Sequence, residues 1–232
     1  RNVTGVQTCA LPICEQLLDA LIAVSRRRDA AAQLGLPDSL ADALARNREL
    51  RSAATLPAIE LYRGIVHTAL DAASLPPTAR KRMERQLVIA SALFGLLRPG
   101  DRIPPYRLPI DARLDGVGRV AAAYRSLLPD LLTALANETA VILDLRAGSY
   151  RAAGLPVRRE RDTVVLRLAD GVPGGNVALK QLRGTVAREL LLTAATPADP
   201  DELARIVAAS RPARLITPRR KGAPRELHCG RG

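Results

Sequence analysis

Three short apolar runs stand far apart in the chain: Leu87-Val-Ile-Ala-Ser91, Ala140-Val-Ile-Leu-Asp-Leu145 and Thr163-Val-Val-Leu-Arg-Leu168. Runs of this length suit strands buried on both faces, which only a sheet covered by helices provides. A shorter run at Ala213–Thr217 fits a last strand. The segments between carry a helical period. Leu17, Leu18, Leu21, Ile22 and Val24 form one apolar stripe from Glu15 onward. Further helices are predicted over Ser39–Arg48, Pro57–Asp71, Ala79–Arg85, Val117–Leu135, Val177–Leu192 and Asp199–Ala209. Helices mixed with separated buried strands define an α/β class, here a single domain with a mixed sheet surrounded by helices. A chain of 232 residues is long enough to bury a genuine core, and no internal repeat or long linker divides it.

No stretch approaches the roughly 18 apolar residues of a membrane span, and the start lacks the apolar centre of a signal peptide. A cytoplasmic protein without membrane contact is therefore expected. Cys9, Cys14 and Cys229 form no close pair, and His67 and His228 stand apart from them and from each other. Zinc and iron–sulfur sites are thereby disfavoured, and neither a metal nor a cofactor is expected. The opening Arg1–Cys14 has no period and resembles translated adaptor sequence, so it is set aside from the fold. His228–Gly232 reads as a similar run-off.

Lysine and arginine total 35 against 23 acidic residues, a net charge of +12 carried almost wholly by arginine, since Lys81, Lys180 and Lys221 are the only lysines. Arginine's planar fork pairs bidentately with phosphate or carboxylate and stays charged at any working pH. A GC-rich genome also raises the arginine share, but the charge itself favours a polyanionic partner. With four Tyr, one Phe and no Trp, stacking on bases can contribute little. From Arg211 to the end, seven basic residues face one acidic residue, Glu226. Such a run either holds phosphates or keeps a disordered end solvated.

Four segments could carry chemistry. In the stretch from Ala92 to Leu108, a strand gives way at Pro99-Gly100 to a segment stiffened by Pro104-Pro105. Fixed φ angles there would hold Arg98, Asp101, Arg102, Tyr106 and Arg107 in place, as a binding site requires; a rigid structural crossover is the other reading. Next, Leu114-Asp-Gly-Val-Gly-Arg-Val has the Gly116/Gly118 spacing of a helix-hairpin-helix turn. There backbone N–H groups and Arg119 could meet an anion, or the segment could simply be a loop entering a helix. Finally, Lys180, Arg183 and Arg188 fall on one helix, with Gly184 allowing a partner close to the backbone. Ser149 and Tyr150 follow a strand end, where α/β ligands commonly bind. His67, on an apolar helix, is read as structural.

Taken in order, the runs Ser91–Leu114 (SALFGLLRPGDRIPPYRLPIDARL), Val141–Tyr150 and Lys180–Leu190 (KQLRGTVAREL) resemble the YaaA peroxide-stress family, over about Glu15 to Leu227. The resemblance implies an unusual α/β fold with a basic cleft and a helix-hairpin-helix element. It also implies binding of double-stranded DNA, protection of DNA against peroxide and lower free iron. By position, Arg98, Asp101, Arg102, Tyr106, Arg107, Ser149, Tyr150, Lys180 and Arg183 match the family's motif blocks. The family's first strand and its Pro-Pro-Ser-Glu-Gly-Lys segment would precede Glu15, so this chain is expected to lack them. DNA binding mainly through phosphates is the first functional expectation. The rival is an enzyme acting on a small anionic or nucleotide-like substrate, with Asp101 as acid or base, Tyr106 as proton donor, and Lys180 and Arg183 as anion clamp.

Overall fold

The computed structural model describes residues 11–220 and 222–230. Its helices are α1 (Leu11–Ser25), α2 (Ala30–Leu34), α3 (Ala41–Arg48), α4 (Ala58–Leu61), α5 (Ile65–Leu70), α6 (Pro77–Gln86), α7 (Val120–Ala123), α8 (Leu128–Ala136), α9 (Gly148–Arg151), α10 (Gly175–Leu192) and α11 (Pro200–Ala208). Its strands are β1 (Leu56–Pro57), β2 (Ile89–Ser91), β3 (Gly95–Leu97), β4 (Arg102–Ile103), β5 (Arg113–Leu114), β6 (Gly118–Arg119), β7 (Ile142–Asp144), β8 (Thr163–Leu168), β9 (Ala213–Ile216) and β10 (Arg225–Cys229). The chain is thus α/β, and it divides into two compact units, each built from three separate stretches of sequence. Among the described residues no helix is long and apolar enough to cross a membrane.

One unit comprises residues 62–86, 132–145 and 156–232 and holds a four-stranded mixed sheet of order β7-β8-β10-β9. β7, β8 and β10 run parallel and β9 antiparallel. Side chains alternate across a strand, so Val164, Leu166, Leu227 and Cys229 share one face. There they pack with Leu182 and Val186 of α10 and Leu203 and Val207 of α11. Burial pushes the Cys229 thiol up to about 11, which keeps it protonated and inert. On the other face Arg167 donates twice to Glu226 Oε1, at 3.0 and 2.8 Å, and His228 Nε2 lies 3.1 Å from Glu226 Oε2. Burial would raise the Glu226 carboxyl, but the His228 and Arg167 hydrogen bonds outweigh it and hold the group below its ordinary value.

β10 corrects the reading of the basic tail: residues 225–229 are the strand between β8 and β9, and His228 and Cys229 pair with both neighbours. Charged residues hid this strand, because the partners that make it tolerable, Arg167 and Asp201, lie elsewhere in sequence. α11 starts as its sequence suggests. Asp199 accepts from Glu202 N–H at 2.7 Å, the Glu202 carboxylate accepts from Ala198 N–H, and Pro200 occupies the first turn, where a missing N–H costs nothing.

The other unit comprises residues 1–61, 87–131 and 146–155 and holds three two-stranded pieces, β1-β4, β2-β3 and β5-β6. α1 begins at Leu11, before the expected Glu15, and Cys14 is buried with its Sγ 3.9 Å from the Tyr124 hydroxyl. Two predicted long helices, whose sequences are divided between the two units, are broken. The Pro57–Asp71 segment forms β1, α4 and α5, with extended Gly64 as N-cap of α5. The Val117–Leu135 segment forms β6, α7 and α8, and Pro129 falls in the first turn of α8, where its ring fits.

Candidate anion-binding surface

The Ser91–Leu114 segment is held by side chains that reach its backbone. β2 and β3 pair as a hairpin, and the buried Tyr124 hydroxyl donates to Leu93 O in its turn at 2.8 Å. Phe94 N–H donates to Ser91 Oγ at 3.0 Å, and Ser91 Oγ lies 2.7 Å from the Tyr106 hydroxyl. The Phe94 and Tyr106 rings meet edge to face at 5.5 Å. Further along, Arg107 N–H donates to Asn47 Oδ1 while Asn47 Nδ2 donates to Arg107 O, both at 2.8 Å. Asn47 is fully buried, so an interior amide spends both its groups on the backbone of one exposed arginine.

Asp101 is built into a turn. It is 7% exposed, its carboxylate accepts from Arg98 N–H at 2.8 Å, and its carbonyl accepts from Ala58 N–H. Arg98 is half-buried at the same turn, while exposed Arg102 lies in β4 opposite Pro57 and donates to Thr55 O. Tyr150 lies half-buried on α9, beside half-buried Ser149. Burial, followed by the charges of Tyr106 and Asp111, pushes its phenol far above the ordinary range against the opposing pull of Arg107.

The glycine segment is a two-stranded hairpin: β5 pairs antiparallel with β6, with Arg113 opposite Arg119 and Leu114 opposite Gly118. The element before the turn is therefore a strand, not the first helix of a helix-hairpin-helix. Gly116 and Gly118 take φ of 76° and 87°, the left-handed region a side chain resists. Arg113 and Arg119 are both exposed. Directly opposed residues sit ~5 Å apart at Cβ, and like charges there repel. The hairpin's Asp115 is paired with Arg27 at 3.0 Å.

The α10 stripe divides within the sheet unit. Lys180 is exposed. Arg183 is 5% exposed, so its guanidinium is unsuited to meeting a phosphate in solvent. Arg188 donates to Leu70 O at 2.9 Å, to Asp71 O at 2.7 Å and to Ser74 Oγ, closing the C-terminal end of α5. Gly184 does admit a close neighbour, but that neighbour is α5. A Cβ at Gly184 would lie 2.1 Å from Val66 O. His67 stacks on Tyr62 at 5.4 Å, and burial lowers its pKa. Sequence reasoning passed over Asn47, Ser91 as a partner of Tyr106, and Arg113; basic residues flanking a Gly-x-Gly turn were the available signal for the last.

The family model described as peroxide stress protein YaaA matches residues 4–210. A UPF0246 protein of Streptomyces coelicolor is 36% identical over 173 residues, 73% of this chain and 66% of that protein. One from Corynebacterium efficiens is 39% identical over 127 residues, 54% and 50% of the two chains. One from Shewanella pealeana is 28% identical over 208 residues, 82% and 80%. The chain thus spans just under two thirds and half, respectively, of the first two relatives. The family match takes in α1, the pinned Ser91–Leu114 segment, the arginine hairpin and both α10 and α11, and the chain belongs to the peroxide stress protein YaaA family.

Proposed function

We propose that this chain serves the peroxide stress response as a cytoplasmic DNA-binding protein, holding double-stranded DNA through its phosphates and limiting free iron and oxidative damage there. The observation that supports this best is Arg113 opposite Arg119 on the β5–β6 hairpin. Two exposed guanidinium groups so placed destabilise each other, and a phosphate oxygen accepting from both forks removes the penalty. The glycine turn keeps side chains out of the way of an approaching backbone. Aromatics add little: Tyr124 is buried and Tyr106 is packed against Phe94, so contact falls on the phosphates rather than the bases.

The same contact links DNA to iron. Ferrous ions gather on DNA as counterions, and peroxide reduced there yields hydroxyl radical beside the bases. Arginines that neutralise phosphates displace such cations from the duplex, so what this contact limits is iron beside the bases and not iron in solution. The test is duplex binding across a salt series, with an Arg113→Ala, Arg119→Ala variant. Affinity of about 10⁻⁴ to 10⁻⁶ M is expected at physiological salt, and losing the phosphate shared by the two arginines should flatten the log–log salt slope by about 1. Absence of binding at low salt, or an unchanged slope in the variant, would refute the reading.

A further inference from the structure

An exposed arginine on a solvent-facing loop does not ordinarily need its backbone fixed from the interior. Arg107 has both its N–H and its C=O taken by fully buried Asn47, in a segment already stiffened by Pro104, Pro105 and Pro109. The guanidinium is thus rooted at a fixed point, and the ordering cost of binding through it is largely met in advance. Its neighbour is set as firmly. Ser91 is 3% exposed and accepts from Phe94 N–H, so the hydroxyl it bonds at 2.7 Å, that of Tyr106, has a fixed position as well as a fixed ring. Tyr150 brings a second phenol into the electrostatic reach of Tyr106, Arg107 and Asp111.

We propose that Tyr106, Arg107 and Tyr150, positioned by Ser91 and Asn47, form a binding site for the terminal oxyanion of a small soluble molecule, a phosphate or a carboxylate. The guanidinium and the Tyr150 phenol are hydrogen-bond donors of the kind an oxyanion accepts from, and Ser91 donating to the Tyr106 oxygen would make that phenol a third. The half-buried rings suit a group that ends in the anion. Asp111, exposed in the same neighbourhood, disfavours a polyanion and can accept a hydrogen bond from a hydroxyl or ammonium on the same ligand.

Tyrosine is the chain's fluorophore, since it has no Trp, and two of its four Tyr belong to this site. The full chain is titrated with inorganic phosphate at constant ionic strength, against chloride, and tyrosine fluorescence is read. A saturable change is expected, weakened about tenfold or more by Arg107→Ala and by Tyr150→Phe. Melting curves without phosphate verify that both variants fold, and Tyr106→Phe, which keeps the ring, serves as a further variant. A linear response, or one unaltered in folded Arg107→Ala, overturns the proposal. Duplex DNA is added in a second arm, with the Arg113→Ala, Arg119→Ala variant alongside. A phosphate response that survives in this variant and in the presence of duplex supports a site distinct from the DNA surface. Competitive loss of that response to duplex assigns the three residues to the DNA surface and overturns the small-ligand reading.

Discussion

Gly184→Ala puts one methyl group where α10 crosses α5. The new Cβ would lie 2.1 Å from Val66 O, 2.6 Å from Ala69 Cβ and 2.9 Å from Leu70 N. Two of those three atoms are backbone, so no rotamer change relieves the contact, and the helices must separate by about 1 Å to restore ordinary distances. Overpacking of this kind costs about 3 kcal/mol, the upper part of the usual range. Alanine returns about 1 kcal/mol through its better helix propensity. The net expectation is destabilisation of about 2 kcal/mol, or a melting temperature lower by about 4–8 °C for a chain of this size. Thermal and urea unfolding followed by circular dichroism measure it, with exposed Gln181→Ala on the same helix as a propensity control. A Gly184→Ala protein as stable as the parent, or more stable, would mean that propensity alone acts there and that the close crossing is not what the glycine serves.

Burial lowers the His67 pKa from 6.5. The unfolded chain therefore binds the extra proton first, and stability should fall as pH drops below about 6.5 toward the folded-state pKa. Melting at pH 7 and pH 5 should show a loss that His67→Gln reduces; equal pH dependence in both proteins would refute it. Arg188 uses a planar fork on Leu70 O, Asp71 O and Ser74 Oγ, so Arg188→Lys should destabilise by about 1–2 kcal/mol in urea unfolding despite keeping the charge. An unchanged midpoint would show that the charge near the helix end is enough.

The strand that read most clearly is β8, whose observed limits, Thr163–Leu168, coincide with its apolar run. It is covered by helices on its α10/α11 face, so hydrophobicity alone encodes it. The Ala140–Leu145 and Ala213–Thr217 runs became β7 and β9 with trimmed ends. Leu87–Ser91 gave β2, but β2 pairs locally with β3 rather than joining the four-stranded sheet, a choice made by the turn at Ala92–Phe94 that a single-run pattern does not contain. β10 was missed because its outward residues Glu226 and His228 are polar, and their tolerance depends on Arg167, far away in sequence. The two overlong helices failed at Gly64 and Pro129, the residue types that interrupt or restart helices.

At the candidate site, sequence singles out the segment as a whole but does not distinguish the contacts its residues make. Arg98–Asp101 and Tyr106–Arg107 look alike as polar pairs beside prolines. In the fold, Asp101 is consumed by a turn and a neighbouring backbone N–H, while Arg107 is presented outward by an asparagine sixty positions away. Charge is equally ambiguous. Arg48, Arg80, Arg82, Arg146, Arg159 and Arg188 all donate to backbone carbonyls. An arginine satisfied by a neutral carbonyl keeps its full charge, so each of these counts toward the net +12 just as a phosphate-contacting arginine would. Net charge thus measures attraction to a polyanion without locating the contact. What separates the two kinds is whether the fork already has carbonyls to bond. By that criterion the clamps belong to the scaffold, while Arg113 and Arg119, opposed and exposed on their hairpin, are the pair on which the proposed phosphate contact rests.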